Sequence, residues 1–207
     1  KQAIADGLSV LWLSANDVTV AGIAVLALRV SYIGELGWEL HVARADAVAL
    51  FEALEVAGKP FGVGFYGAYA ANSMRLEKGY RGWGSDLTTE RSPLETGLRA
   101  FVKPEGRKFI GRDAMLAKAE PWDMVLLEIE TTDVDPFYSH TVFAEGRPIG
   151  VVTSGSHGHR TGKTLALAFM REPTVRHGLS VKILGRSRAA HILDEVPYDP
   201  QNLRLKS

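Results

Sequence analysis

SYIGELGWEL, residues Ser31–Leu40, interrupts an aromatic, strand-forming run with two glycines, Gly34 and Gly37. Trp38–Val42 reads as a short strand. Gly34–Gly37 reads as the turn joining it to a strand that ends at Tyr32, because glycine reaches positive φ at little steric cost. A strand–turn–strand of this kind places Tyr32 and Glu39 near one end of a hairpin. It also sets a carboxylate beside Trp38, on a segment otherwise built for a core.

Outward from that hairpin, Val18–Val30 reads as extended, with Ala21-Gly22 as a turn inside it. Asp46–Ala57 reads as a helix with an apolar stripe of Ala47, Leu50, Phe51, Leu54 and Ala57. Asp46 is its expected cap, and Gly58 its end before Pro60. A second helix is expected from Ala68 to Lys78, stopped by Gly79, with Ala68, Ala70 and Ala71 packed closely on a sheet. Ser92-Pro93-Leu94-Glu95 has the form of a capping box with proline at the first helical position. A third helix is expected over Arg112–Ala119.

After Pro121 the texture changes. Met124–Thr131, Thr141–Ala144, Ile149–Thr153, Thr164–Met170, Ser180–Leu184 and Ala189–Leu193 read as six short strands. Glu145-Gly146 and Gly185-Arg186-Ser187 supply turn chemistry between them. Strands at this spacing without helices point to a small barrel or sandwich. The fold class is therefore α+β followed by all-β, with residues 1–119 as one domain, 121–207 as the other, and the boundary near Glu120.

Bulk properties exclude several functions. Lys plus Arg and Asp plus Glu are 24 each among 207 residues, so there is no electrostatic case for nucleic acid or an anionic membrane surface. No apolar run approaches the roughly 20 residues that span a bilayer. Lys1–Val10 lacks the design of a signal peptide. There is no cysteine, which removes disulfides, thiolate catalysis and cysteine zinc sites and fits a reducing compartment. The chain starts without Met and reads as a fragment of something longer.

Each motif has a functional and a plainer reading. The two oxygens of Glu39 match a planar group with two adjacent N–H donors, such as the 2-amino-4-oxo edge of a pterin. Alternatively Glu39 is an exposed strand glutamate, or pairs with Arg29 or Arg75. GHRTGKT, residues 158–164, is not a phosphate loop, because Gly158 and Gly162 enclose three residues where that pattern needs four. It reads as a glycine-rich turn between strands. His157 and His159 share one strand face, but no carboxylate lies near them in sequence, so no metal is assigned. Tyr80 and Trp83, in RLEKGYRGWGSDL, either stack on a flat ligand or pack a loop over the core. Arg75 and Glu77 flank Leu76 on different sides, so one of them is expected to face inward and pair.

SYIGELGWELHV, NSMRLEKGYRGWGSDL, SPLETGLRAFV, KFIGRDAM and TSGSHGHRTGKTLALAF occur in this order, and together they resemble the glycine-cleavage T-protein (aminomethyltransferase) family. The resemblance covers the chain from about Val18 to its end. NSMRLEKGY and TTDVDP look more like the C-terminal folate region of dimethylglycine and sarcosine dehydrogenases than like the stand-alone T-protein.

The resemblance implies a tetrahydrofolate-binding domain closed by a β-barrel. It implies transfer of a one-carbon unit from an amine to folate N5, giving 5,10-methylenetetrahydrofolate. It assigns the pterin grip to Glu39, makes Tyr32 part of the same site, and packs Tyr80 against the folate. Trp83 and Arg204 are further candidates. The family's catalytic aspartate lies upstream of the GELGWE segment and outside this chain, which is therefore expected to be inactive alone. Where stand-alone T-proteins carry an Arg-Asp pair before RLE, this chain has Ala71-Asn72, which alters recognition of the folate tail. Implied partners are the amine substrate, folate, and a flavoprotein domain or lipoyl carrier protein, with FAD only if a dehydrogenase domain lies upstream. The implied location is the cytoplasm, or the mitochondrial matrix in a eukaryote. The competing function is a non-catalytic folate-binding regulatory module.

Overall fold

The computed structural model describes residues 12–117 and 122–206. They belong to two compact units, one of the chain up to Ala71 together with Gln201 onward, the other Asn72–Pro200. Lys1–Val10, the expected boundary at Glu120 and the expected helix end at Ala119 lie outside the described residues.

In the first unit, β1 (Ala15–Val20), β2 (Ile23–Leu28) and β3 (Glu39–His41) form an antiparallel sheet in that order. Ala21 and Gly22 join the first two strands with φ of 51° and 81°. Positive φ at both positions marks the primed two-residue turn whose twist suits a hairpin. Strand alternation turns Val20 and Val25 inward against Leu50 of α1 (Ala47–Gly58), with Ile23, Leu40 and Leu54 around them.

The helix signals were read only partly correctly. Asp46 makes no side-chain capping bond, because it belongs to a 3₁₀ turn, Arg44–Asp46, that feeds directly into α1. α1 ends at Gly58 as expected, but Gly58 keeps helical backbone angles, φ −80° and ψ −21°, and is not a left-handed cap. A second 3₁₀ turn, Lys59–Phe61, continues from it, and the chain leaves at Gly62 with φ 70°. Of the expected stripe only Leu50 is buried, while Phe51 is exposed and stacks on Phe65 at 5.5 Å. The next helix, α2 (Ala68–Glu77), is followed by Gly79 at φ 62°. Ala68 and Ala70 are exposed rather than packed on a sheet. The buried half is the C-terminal one, with Ser73, Arg75, Leu76 and Glu77.

In the second unit the SPLE capping box forms without an α-helix behind it. Ser92 N–H donates to Glu95 Oε2 at 2.7 Å and Glu95 N–H to Ser92 Oγ at 3.4 Å. The turn then stops at Gly97, whose φ of 72° cannot continue it. Two short helices follow, α3 (Arg99–Val102) and α4 (Arg112–Ala117). Burial pushes the Glu95 carboxyl pKa up, but Ser92 N–H and the Arg91 guanidinium outweigh it and hold the pKa below its ordinary value. A lowered folded pKa contributes stability that is complete above the unfolded value, about 4.3, and is lost as pH falls through the folded one. Melting of wild type and Glu95→Gln from neutral to acid pH is expected to show a gap that closes below about pH 4. A gap independent of pH contradicts this account.

All six expected strands are present: β4 (Asp123–Ile129), β5 (Thr141–Ala144), β6 (Arg147–Gly158), β7 (Lys163–Met170), β8 (Leu179–Ile183) and β9 (Arg186–Leu193). They close into an antiparallel barrel, β4-β7-β6-β5-β8-β9, with β9 pairing back to β4. The barrel is filled by Leu127, Val142, Val152, Ala168, Val181 and their neighbours. Glu145-Gly146 and Leu184-Gly185 repeat the primed hairpin turn, so the second turn is Leu184-Gly185 and Arg186-Ser187 already belong to β9. β6 is more than twice as long as expected, because SGSHG, poor in strand formers, is held by pairing to β7 through Gly158↔Lys163. A strand therefore does precede the GHRTGKT segment, but strand β7 follows it, and no helix. The barrel is followed by α5 (Leu203–Lys206), which belongs to the first unit. No helix among the described residues is long and apolar enough to cross a membrane.

Candidate functional site

The GELGWE segment is a loop over residues 29–38, not a tight turn, because β2 ends at Leu28 and not at Tyr32. Register pairs Leu28 with Glu39, so the loop leaves and re-enters the sheet at one end. Arg29 holds it from beneath. Its side chain is buried, Nη1 donates to the Gly37 carbonyl at 3.3 Å, and its guanidinium lies 5.4 Å from the centre of the Trp38 ring. Gly37 is required for close approach, since a Cβ there would lie 2.9 Å from Ser31 Cβ and 3.0 Å from the Val30 carbonyl.

Three expected site residues, Tyr32, Glu39 and Arg204, lie in this unit. β3 alternates, turning Leu40 toward the core and Glu39 and His41 outward. The Glu39 carboxylate is 57% exposed and lies 3.5 Å from His41 Nε2. The ion pair considered from sequence, with Arg29 or Arg75, is thus replaced by a same-face strand neighbour. Tyr32 is 45% exposed on the loop. Arg204 Nη1 lies 3.9 Å from Glu35 Oε2, which brings the C-terminal segment to the GELGWE loop. Lys206 over the Trp12 ring, at 5.4 Å, anchors the same segment. Glu35 escaped the sequence reading because its partner is 169 residues away and no local spacing announces the pair.

Tyr80 and Trp83 belong to the other unit. Burial, and then the negative charge of Asp199, raise the Tyr80 hydroxyl pKa above the ordinary tyrosine value. Lys78, also buried, donates to the Asp199 carbonyl at 2.6 Å. Trp83 is 78% exposed, so this loop does not bury its aromatic over the core. Both Arg75 and Glu77 face inward and pair, where only one was expected. Arg75 meets Asp86 at 2.6 Å and Glu77 meets Arg160 at 2.6 Å. The helix end is enclosed on both sides, so opposite faces are buried together. Asn72, standing where the resemblance leads one to expect an aspartate, accepts two bonds from Arg75, at 3.0 and 2.7 Å. His157 and His159 meet edge to face at 5.1 Å, and His157 Nδ1 lies 3.1 Å from Thr164 Oγ1. Among the described residues no cluster of three or more His, Asp or Glu side chains is arranged to hold a metal.

Comparison with known proteins bears on this geometry. Residues 4–106 match the GCVT N-terminal domain, and residues 123–199 match the glycine cleavage T-protein C-terminal barrel domain. Human mitochondrial dimethylglycine dehydrogenase is 38% identical over 203 residues, 94% of this chain and 23% of that protein. An aminomethyltransferase of Halothermothrix orenii is 34% identical over 174 residues, 83% of this chain and 48% of that protein. The chain thus spans less than half the length of these relatives. The crystal structure of glycine cleavage system aminomethyltransferase T from Bartonella henselae shares the fold, with a TM-score of 0.81 at 24% identity over 96% of this chain and 57% of that one.

Proposed function

Because the chain belongs to the glycine cleavage T-protein family, we propose that it supplies part of a tetrahydrofolate site and serves the transfer of a one-carbon unit from an amine to that folate. The observation that carries this reading is the outward-facing Glu39 side chain, more than half exposed at the end of a loop to which Arg29 hydrogen-bonds. Its two oxygens fit the paired N–H donors of a pterin edge, and charge makes such bonds roughly twice as strong as neutral ones. Tyr32, on the same loop, lines the site. Tyr80 packs against the folate and Trp83 offers a further flat face. Arg204, 3.9 Å from Glu35 of the GELGWE loop, is a further candidate for the site. The Asn72 bonds to Arg75 give that position a structural duty.

Tetrahydrofolate supplies the nucleophilic nitrogen that accepts the one-carbon unit. The residues present hold and orient it, and orientation alone is a large part of the rate in such transfers. FAD enters only if a dehydrogenase domain lies upstream. A flavoprotein domain or a lipoyl carrier is the corresponding partner. The functional division is placed between residues 119 and 121, and the location is the mitochondrial matrix if the source is a eukaryote.

Calorimetric titration with tetrahydrofolate tests the reading. Saturable binding is expected, weakened in Glu39→Gln by about 1–3 kcal/mol, or roughly 5- to 150-fold. Equal affinity of the two proteins overturns the assignment of Glu39.

A further inference from the structure

The Arg75–Asp86 pair lies at the root of the loop that carries Tyr80 and Trp83. Arg75 is 3% exposed and Asp86 is fully buried. Arg75 Nη1 donates to Asp86 Oδ2 at 2.6 Å and to the Tyr80 carbonyl at 2.8 Å. Asp86 Oδ2 also accepts the Gly82 N–H at 2.7 Å. Its other oxygen accepts the hydroxyls of Thr153 and of Ser154, the latter at 2.6 Å. One carboxylate and one guanidinium therefore tie three points of the loop, Tyr80, Gly82 and Asp86 itself, to helix α2 and strand β6.

A packing role does not explain this choice of residues. Replacing a buried ion pair with apolar side chains of similar volume is often neutral or stabilising. What the pair adds is directional bonding to backbone groups of a loop with little packing of its own. Gly82 and Gly84 carry no side chain, and Trp83 between them is exposed. Such a segment opens easily unless something over-determines its backbone.

We infer that Arg75 and Asp86 are positioning residues that hold the Tyr80–Trp83 loop in its ligand-binding conformation. This rests on the proposed folate function for its ligand, but not for the clamp itself. Pre-organisation of this kind raises affinity by removing the cost of ordering the loop on binding.

The test uses Asp86→Asn, which keeps the shape and one acceptor oxygen, and Arg75→Lys as a second variant should the first not fold. The first readout is the ultraviolet titration of Tyr80, taken as the difference from Tyr80→Phe in the same background. Burial and the charge of Asp199, which accepts from Lys78, raise the Tyr80 hydroxyl pKa above its ordinary value. In either variant it is expected to move back toward the ordinary value, about 10. The second readout is tetrahydrofolate affinity, expected to fall about tenfold. Leu127→Ala, which loosens the barrel core, is the control for destabilisation alone and is expected to move neither readout. An unchanged Tyr80 titration in a folded variant overturns the clamp, as does an equal change in Leu127→Ala. If wild type binds no tetrahydrofolate the proposed function falls, and the Tyr80 titration alone decides the clamp.

Discussion

Glu77→Ala is expected to cost the second unit about 3–5 kcal/mol of stability, the range for removing one partner of a buried ion pair. Glu77 is fully buried at the end of α2 and is the acceptor on which the β6–β7 turn is built. Arg160 donates to it from its backbone N–H at 2.9 Å and from Nε at 2.6 Å. Thr161 donates from its N–H at 2.9 Å and its hydroxyl at 3.1 Å. Alanine leaves the backbone N–H groups of Arg160 and Thr161 and the Nε–H of Arg160 without their acceptor, and each unmet buried donor carries its own desolvation cost. The loss falls toward the lower end of the range, because Arg160 keeps 21% of its side chain exposed and lies over the Tyr198 ring at 3.7 Å. Urea denaturation measures it as a lowered midpoint at unchanged slope. A loss below about 1 kcal/mol contradicts the role given to this carboxylate.

Leu127→Ala is the second large effect, expected at about 2–5 kcal/mol. Leu127 on β4 is fully buried within the barrel cluster. β4 is paired on both sides, to β7 and to β9, and the sheet is closed on itself. A closed barrel cannot collapse readily around a lost side chain, so the cavity persists along with the lost transfer energy. The same denaturation experiment reads it. A change within the range of a surface substitution, about ±0.5 kcal/mol, contradicts the assignment of Leu127 to the core.

The barrel was legible because its strands carry their own signal. Alternating apolar runs separated by Glu145-Gly146 and a second X-Gly turn specify hairpins locally, whichever way the rest of the chain goes. β6 was cut short in the reading because SGSHG is extended only through its partner strand. The helix start was misjudged for a related reason. Asp46 has the right chemistry for a cap, but it belongs to a 3₁₀ turn that feeds directly into α1, and such a turn depends on tertiary placement. SPLE shows the opposite case, a capping box whose reciprocal bonds form although the helix they normally begin is ended at once by Gly97.

For the candidate site the sequence supplied candidates and not geometry. The resemblance named Tyr32, Glu39 and Tyr80, with Arg204 as a further candidate, and the aromatic loop added Trp83. It could not show that Glu39 faces outward beside His41, or that Arg204 approaches Glu35. Nor could it show that Arg75 and Asp86 hold the Tyr80 loop, since helix spacing says which residues share a face but not what encloses it.

The claim that Glu39 grips the donor edge of a pterin is tested most directly by crossing two changes, one in each partner. Tetrahydrofolate and its 2-desamino analogue would be titrated into wild type and into Glu39→Gln. The account predicts that losing the amino group weakens binding to wild type by roughly tenfold and costs far less in Glu39→Gln, a coupling that arises only between groups in contact. An equal loss in both proteins would contradict it, because Glu39 would then act without touching the pterin edge.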